Sequence, residues 1–395
     1  MAAKSVKKSK TKKSRSKKSK AAEPVIYKGL AGVTVDTTAV SKVMPETNSL
    51  TYRGYAVQDL AANCRFEEVA YLMWHGELPT RAQLRKFEQD ERSRRNISRA
   101  HVEVIRQYPK KAHPMDTLRT SVSYLGTTET AWGGEPAEKD LDRAMDMLAK
   151  IPTMIATDYR FRKGLPRKAP RKDLTMSENF FHMCFGEVPP KEVIRAFDIS
   201  LILYAEHSFN ASTFTARVIT SSRSDIYSAV TGGIGSLKGP LHGGANEAVM
   251  HNLKEIRTPA RAEKWLRDKQ AAGELVMGFG HRVYKQGDSR VPTMRAALED
   301  LAAWKGDTKW LEISDILQQI MIDEKNIHPN LDFPAGPAYY LMGFEIDMYT
   351  PIFVMSRITG WAAHIIEQNA NNSLIRPLSA YSGKKQRKVK PISKR

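Results

Sequence analysis

Apolar side chains along this chain recur mostly at helical spacing. Behind Pro190, Val193, Phe197 and Leu201 follow at four-residue steps, and Ala245, Val249, Leu253 and Ile256 continue the same periodicity further on. Both runs predict amphipathic helices, the second starting immediately after His242-Gly-Gly. Thr80 stands where an N-cap belongs before the charged run Arg81-Ala-Gln-Leu-Arg-Lys-Phe-Glu, and Gly76 and Pro79 close the element ahead of it. Strand signals are few and confined to short stretches near Ile26–Val35. No internal repeat of roughly 20–50 residues is present. Gly and Pro cluster at 109–114, 133–136, 164–170, 232–244, 278–287 and 329–337. The pattern predicts a mainly α body whose special residues sit on turns between rigid helices.

Composition sets the scale and the exclusions. With 395 residues, 41% of them hydrophobic, the chain exceeds the size at which one core stops growing, so two domains are expected. The formal charge of +19 is misleading about the body. Residues 1–20 hold ten Lys or Arg and residues 384–395 hold seven, with no acid in either segment, so residues 21–383 are close to neutral. The Lys/Ser-rich start, residues 1–22, has almost nothing apolar and is expected to be a disordered basic tail. It can attract polyanions such as nucleic acid or an anionic membrane weakly, through counterion release. A secretory signal is excluded because no apolar region follows the charges, and a mitochondrial transit peptide is disfavoured by a single arginine, Arg15, and no apolar face. Cys64 and Cys184 are isolated, without a CxxC or Cys/His cluster, so free thiols in a cytoplasmic protein are expected, with no zinc site or disulfide. Tyr349–Gln368, the most hydrophobic late stretch, carries Arg357, His364 and Glu367, which excludes a bilayer span there.

Three breaker clusters carry the chemistry: Gly239-Pro-Leu-His-Gly-Gly-Ala-Asn-Glu-Ala-Val249, Gly278-Phe-Gly-His-Arg-Val-Tyr-Lys285 and Asn330-Leu-Asp-Phe-Pro-Ala-Gly-Pro-Ala-Tyr-Tyr-Leu-Met-Gly343. Each sets one ionisable group, His242, His281 or Asp332, among residues that turn the backbone. Two imidazoles and a carboxylate suffice to take a proton from carbon and stabilise the oxyanion that forms. His242, just ahead of a helix, is expected to be neutral under the helix dipole and to donate to a thioester carbonyl. Asp332, between Leu331 and Phe333, is expected to be desolvated and therefore more basic. His281 can donate to a second carbonyl. Arg290, Arg357 and Arg376 supply the planar forks that bind carboxylates. The lone GxG before His281 does not make a dinucleotide fingerprint, and no HExxH spacing supports a metal hydrolase built on the same residues.

Taken with Asn48-Ser-Leu-Thr-Tyr-Arg-Gly54, His113-Pro-Met-Asp-Thr-Leu-Arg119 and His207-Ser-Phe-Asn-Ala-Ser-Thr213, these segments closely resemble the citrate synthase family from about Gly29 to Gly383. The likeness is to the short bacterial branch, and Asp332-Phe-Pro-Ala-Gly-Pro337 looks like the 2-methylcitrate synthases of actinobacterial type. The resemblance implies a nearly all-helical homodimer with a large domain and a smaller mobile one, and an active site in the cleft. It divides the chain into a large domain over 23–225, a small domain over 226–334 and a return segment over 335–383, with a basic tail over 384–395. By the same resemblance Asp332 and His242 enolise an acyl-CoA, and His281 protonates the oxaloacetate carbonyl. His207, Arg290, Arg357 and Arg376 hold the dicarboxylate, Arg376 from the partner subunit, and Lys285 lies near the CoA phosphates.

The implied reaction is condensation of propionyl-CoA or acetyl-CoA with oxaloacetate and water, giving 2-methylcitrate or citrate and free CoA. It uses no cofactor and no metal, since acyl-CoA is a substrate. Small Ala335 and Gly336 are expected to leave room for the extra methyl of propionyl-CoA. A family-like protein tethered by its tails to nucleic acid or membrane, with catalysis secondary, is the rival from a different class.

Overall fold

A computed structural model describes residues 25–129, 137–281, 283–284 and 287–395. The basic tail over 1–22, the breakers at 133–136 and Lys285 lie outside the described residues. Two units emerge: residues 1–37 with 376–395, and residues 38–375. In the first, the described residues are almost all exposed and hold only two short 3-10 turns, Lys28–Leu30 and Ile392–Lys394.

The expected strand near Ile26–Val35 is absent. Leu30, Gly29 and Gly32 have positive φ there, and Val25, Ile26 and Tyr27 are exposed, so the segment has neither extended backbone nor a face to bury. Among the described residues the strands are Ser41–Met44, Ser49–Tyr52 and Tyr55–Ala56, an antiparallel meander. Its turns rest on positive φ at Asn48, Arg53 and Gly54.

The second unit is helical, and its axis is the helix Tyr349–Ala370. Ile352, Val354, Met355, Ile358, Trp361 and Ala362 are fully buried around its circumference. A helix apolar on every side is stable only inside a protein, which explains its hydrophobic, span-like appearance in the sequence. Helices Phe66–His75, Ala137–Arg162, Lys191–Tyr204, Ala211–Ser221 and Ile226–Leu237 pack around it. Among the described residues no helix is long and apolar enough to cross a membrane.

The predicted helices form where the periodicity placed them. Helix Arg81–Arg94 starts at Thr80, whose hydroxyl accepts the Gln83 amide at 3.3 Å while the Gln83 side chain returns a bond to the Thr80 amide at 2.9 Å. Helices Lys191–Tyr204 and Ala245–Ile256 bury Val193, Phe197, Leu201, Val249, Leu253 and Ile256. Helices Ala245–Ile256, Ala262–Ala271, Val291–Lys305, Lys309–Lys325 and Asp332–Leu341 pack among themselves. Ile226–Leu237, which the sequence division assigns to the small domain, packs on Ala211–Ser221, Pro114–Thr127 and the axial helix. Cys64 and Cys184 are both buried free thiols, and burial pushes both thiols up.

Candidate active site

His242 sits two residues before the N-cap Gly244 of helix Ala245–Ile256. A Cβ on Gly243 would lie 2.7 Å from the Leu237 carbonyl oxygen, so this turn closes only with glycine. The ring is held from the opposite side. The Ser212 backbone N–H, in the first turn of helix Ala211–Ser221, donates to His242 Nε2 at 3.2 Å, and Ser212 Oγ stands 2.8 Å from the same nitrogen. Trp361 Nε1 donates to Ser212 Oγ at 3.1 Å and fixes that hydroxyl in turn. A backbone N–H can only donate, so Nε2 is the acceptor and the proton of the neutral ring is on Nδ1. The pKa of His242 is lowered to about 3, first by burial and then by the Arg357 charge. Burial and the Arg357 charge thus both keep this imidazole neutral.

His281 has the opposite tautomer. The amides of Val283 and Tyr284 donate to its Nδ1 at 3.0 and 3.1 Å, which leaves the ring proton on Nε2. The segment is pinned to the stretch before Asp332. The Gly280 amide donates to the His328 carbonyl at 2.8 Å, the Asn330 amide to the Gly278 carbonyl at 2.9 Å, and Asn330 Nδ2 to the Gly280 carbonyl at 3.0 Å. Gly278 makes this approach possible: its φ is 87°, and a Cβ there would lie 2.6 Å from Val249 and 2.9 Å from Phe333.

Asp332 is the first residue of helix Asp332–Leu341, so it stands on a helix rather than on a turn. Its neighbours Leu331 and Phe333 are buried as expected. Tyr204 Oη donates to Asp332 Oδ1 at 2.7 Å. Burial raises the carboxyl to about pKa 6, while the Tyr204 hydrogen bond and the Arg290 and Arg357 charges pull it down. Gly336 does not open space beside this base. A Cβ at Gly336 would lie 2.9 Å from the Asn246 carbonyl oxygen, so its smallness serves the packing of two helices.

The other side is built from two buried guanidinium groups and a buried imidazole. Arg290 donates from Nε and Nη2 to Asp288 at 2.9 and 2.6 Å, and the same carboxylate accepts the Leu331 amide at 3.2 Å. Arg290 holds the Asp288 carboxyl well below the usual carboxylate range. Arg357 donates from Nε to the Tyr204 carbonyl at 2.7 Å, but its Nη1 is buried without a partner. Burial lowers its pKa to about 10. His207 lies with its ring 5.0 Å from that of His281, and its Nε2 is also buried and unpartnered. Burial and the Arg290 charge hold His207 well below the ordinary imidazole range. An unpaired buried N–H costs about 1–3 kcal/mol, which an anionic ligand would recover.

One ring ties the halves together. Phe353 lies 4.1 Å from the Tyr204 ring, 6.4 Å from the His242 ring and 4.5 Å beneath the Arg357 guanidinium. His207, His242, His281, Arg290, Arg357 and Asp332 thus form one connected cluster. Arg376 is exposed and belongs to the terminal unit.

Sequence reasoning did not single out Tyr204, Ser212, Asp288 or Glu206. Ser212 lies within His207–Thr213, and Asp288 is the acid two residues before Arg290, a spacing that could have marked it. Glu206 is fully buried and accepts from Ser41 Oγ at 3.0 Å and from His364 Nε2 at 2.9 Å, a network without a local sequence signal.

The family profile described as "Citrate synthase, C-terminal domain" matches residues 29–378. A 2-methylcitrate synthase of Mycobacterium tuberculosis is 60% identical over 364 residues, 92% of either chain. A citrate synthase of Mycolicibacterium smegmatis is 59% identical over 366 residues, 93% of this chain and 97% of that one. Among solved structures, a ternary complex of carboxymethyl coenzyme A and oxaloacetate with the citrate synthase of Thermoplasma acidophilum superposes with a TM-score of 0.89. It is 35% identical and covers 94% of this chain and 100% of that one.

Proposed function

The chain belongs to the citrate synthase family, and we propose that it condenses a short acyl-CoA with oxaloacetate and water, releasing CoA and a tricarboxylate. The observation that carries this reading is the opposed tautomers of two neutral histidines around one basic carboxylate. Asp332 takes a proton from the carbon next to the thioester. His242 Nδ1–H donates to the thioester oxygen as it gains enolate charge. The enolate carbon then attacks the ketone carbon of oxaloacetate, forming the new C–C bond, and His281 Nε2–H supplies the proton to the resulting alkoxide. Water cleaves the C–S bond, and CoA leaves as the thiol.

The oxaloacetate carboxylates are the natural partners for His207 Nε2 and Arg357 Nη1, which are buried without a partner, and for Arg290 beside them. Acyl-CoA is a substrate in this scheme, and the side chains named complete the chemistry. Propionyl-CoA is the proposed preferred donor. The proposed assembly is a cytoplasmic homodimer in which Arg376 completes the partner's site and Lys285 faces the CoA phosphates. The proposed mobile domain is residues 226–334, supported by the packing of helices Ala245–Ile256, Ala262–Ala271 and Lys309–Lys325 on one another, while Val291–Lys305 also packs on Lys191–Tyr204.

The test is thiol release. The purified chain should liberate CoA from propionyl-CoA or acetyl-CoA only when oxaloacetate is present. Release without oxaloacetate would make it a thioesterase, and no release from either donor would refute the condensation.

A further inference from the structure

Between the ends of helices Arg99–Arg106 and Ala137–Arg162 and the loop after them lies a cavity of about 520 Å³. None of its lining residues belongs to the cluster around His242, His281 and Asp332. Its walls carry four cations, Arg106, Lys110, Arg162 and Arg167, against one acid, Asp158.

That acid is already committed. Asp158 Oδ2 accepts from Arg162 Nε at 2.7 Å and from Thr117 Oγ1 at 2.8 Å. Arg162 spends Nη1 on the carbonyls of Lys110 and Ala112 at 2.9 and 2.5 Å, and its Nη2 is buried without a partner. Arg167 donates from Nη2 to the neutral Asn96 amide oxygen at 2.6 Å, and its Nε is likewise buried and unpartnered. Burial lowers the Arg167 pKa, with no acid beside it to offset the effect.

Arg106 and Arg162 end their helices, where a cation complements the helix dipole. That ordinary role accounts for two of the four charges. It does not account for Lys110 or Arg167, nor for two guanidinium N–H groups turned away from every acceptor. Asp158 pairs with Arg162 and Glu103 pairs with Arg106 at 3.3 Å, so Lys110 and Arg167 remain as two positive charges in excess. They call for a multiply charged anion, and guanidinium groups are suited to phosphate oxygens.

We propose that this cavity is a second binding site, taking a small phosphate-type polyanion on Arg162 and Arg167, with Lys110 and Arg106 at its mouth. Arg162 is shared between the cavity and the turn before His113. His113 Nε2 in turn lies 3.0 Å from Glu247, on the helix that follows His242.

Inorganic pyrophosphate is the probe. The full chain is titrated calorimetrically with oxaloacetate saturating the active site, at about 0.15 M salt, which screens the exposed lysine tails. One site per chain is expected, weakened at least about tenfold in Arg167→Ala and in Arg106→Gln. Arg106 is exposed, so its replacement leaves folding intact and keeps the test valid if Arg167→Ala is unstable. A wild-type chain without a saturable site, or an Arg106→Gln chain that binds as wild type does, would overturn the proposal. Equal affinity for tricarballylate, a tricarboxylate, would overturn the phosphate assignment.

Discussion

The Tyr204 hydroxyl donates a 2.7 Å hydrogen bond to Asp332 Oδ1. The bond opposes burial, which raises this carboxyl to about pKa 6. Tyr204 thus tempers the basicity that burial gives the proposed base. A base must be ionised to act, so kcat/KM should fall below about pH 6. In Tyr204→Phe the opposing donor is gone, and the acid limb should move to higher pH by about one unit or less. A pH profile of kcat/KM for both chains checks this, and an unmoved or lowered limb would detach Tyr204 from the base.

Asp332→Asn separates activity from stability. Asn keeps the acceptor for Tyr204 but cannot take a proton, so kcat should drop by roughly 10²–10⁴-fold. The folded pKa of Asp332 stands above the unfolded value, so ionising it costs stability as pH rises from about 4 to about 6, and the cost is constant above that. The carboxylate is only partly buried, which reduces the cost to on the order of 1–2 kcal/mol. Thermal unfolding should therefore show the variant more stable than wild type at pH 8, with no advantage at pH 4. An active variant, or one destabilised at pH 8, would contradict the assignment.

Arg357 reaches the site from the middle of the axial helix, with Nη1 buried and unpartnered. Arg357→Ala should raise the KM for oxaloacetate on the order of 10²–10³-fold, the scale of losing one partner of a buried charge pair. Lys should not restore it, because its ammonium lacks the planar fork that bonds the Tyr204 carbonyl and a carboxylate at once. Initial rates against oxaloacetate concentration measure both variants, and a KM within about threefold of wild type would exclude Arg357 from the carboxylate site.

Helix periodicity and breaker clusters made the fold class legible, because burial of one face writes itself into the sequence at local spacing. Ala245 to Ile256 is the clearest case. The strands escaped notice because Ser41–Tyr52 is polar and held by its turns, whereas the apolar residues near Val25 have nothing to pack on. His242, His281 and Asp332 were legible since glycine and proline marked where the backbone had to turn around them. Tyr204 and Glu206 were not, because their partners lie more than a hundred positions away and only folding brings them together.

The family resemblance implies that Arg376 acts in the partner's site. If so, neither Arg376→Ala nor His281→Ala homodimers should be active, while mixed dimers carry one site free of both lesions. Refolding the two inactive chains together should restore part of the wild-type activity. Confirmed heterodimers without activity would place Arg376 outside the shared site.

The choice of acyl donor is the finest discrimination asked of this site. The two relatives near 60% identity carry different names, one a 2-methylcitrate synthase and one a citrate synthase, so likeness alone does not decide between the donors. Propionyl-CoA is larger by one methylene, and an apolar pocket separates such a pair by only about 10–200-fold, so both should react. Gly336 is taken up by helix packing, and the apolar ring of Phe353 lies between His242 and Tyr204, the tyrosine bonded to Asp332. An ethyl group gains more from such a surface than a methyl does, by about 0.8 kcal/mol per buried methylene. The kcat/KM for propionyl-CoA at saturating oxaloacetate should therefore equal or exceed that for acetyl-CoA. A preference for acetyl-CoA beyond about tenfold, or 1.4 kcal/mol in transition-state binding, would identify an ordinary citrate synthase and refute the proposed donor.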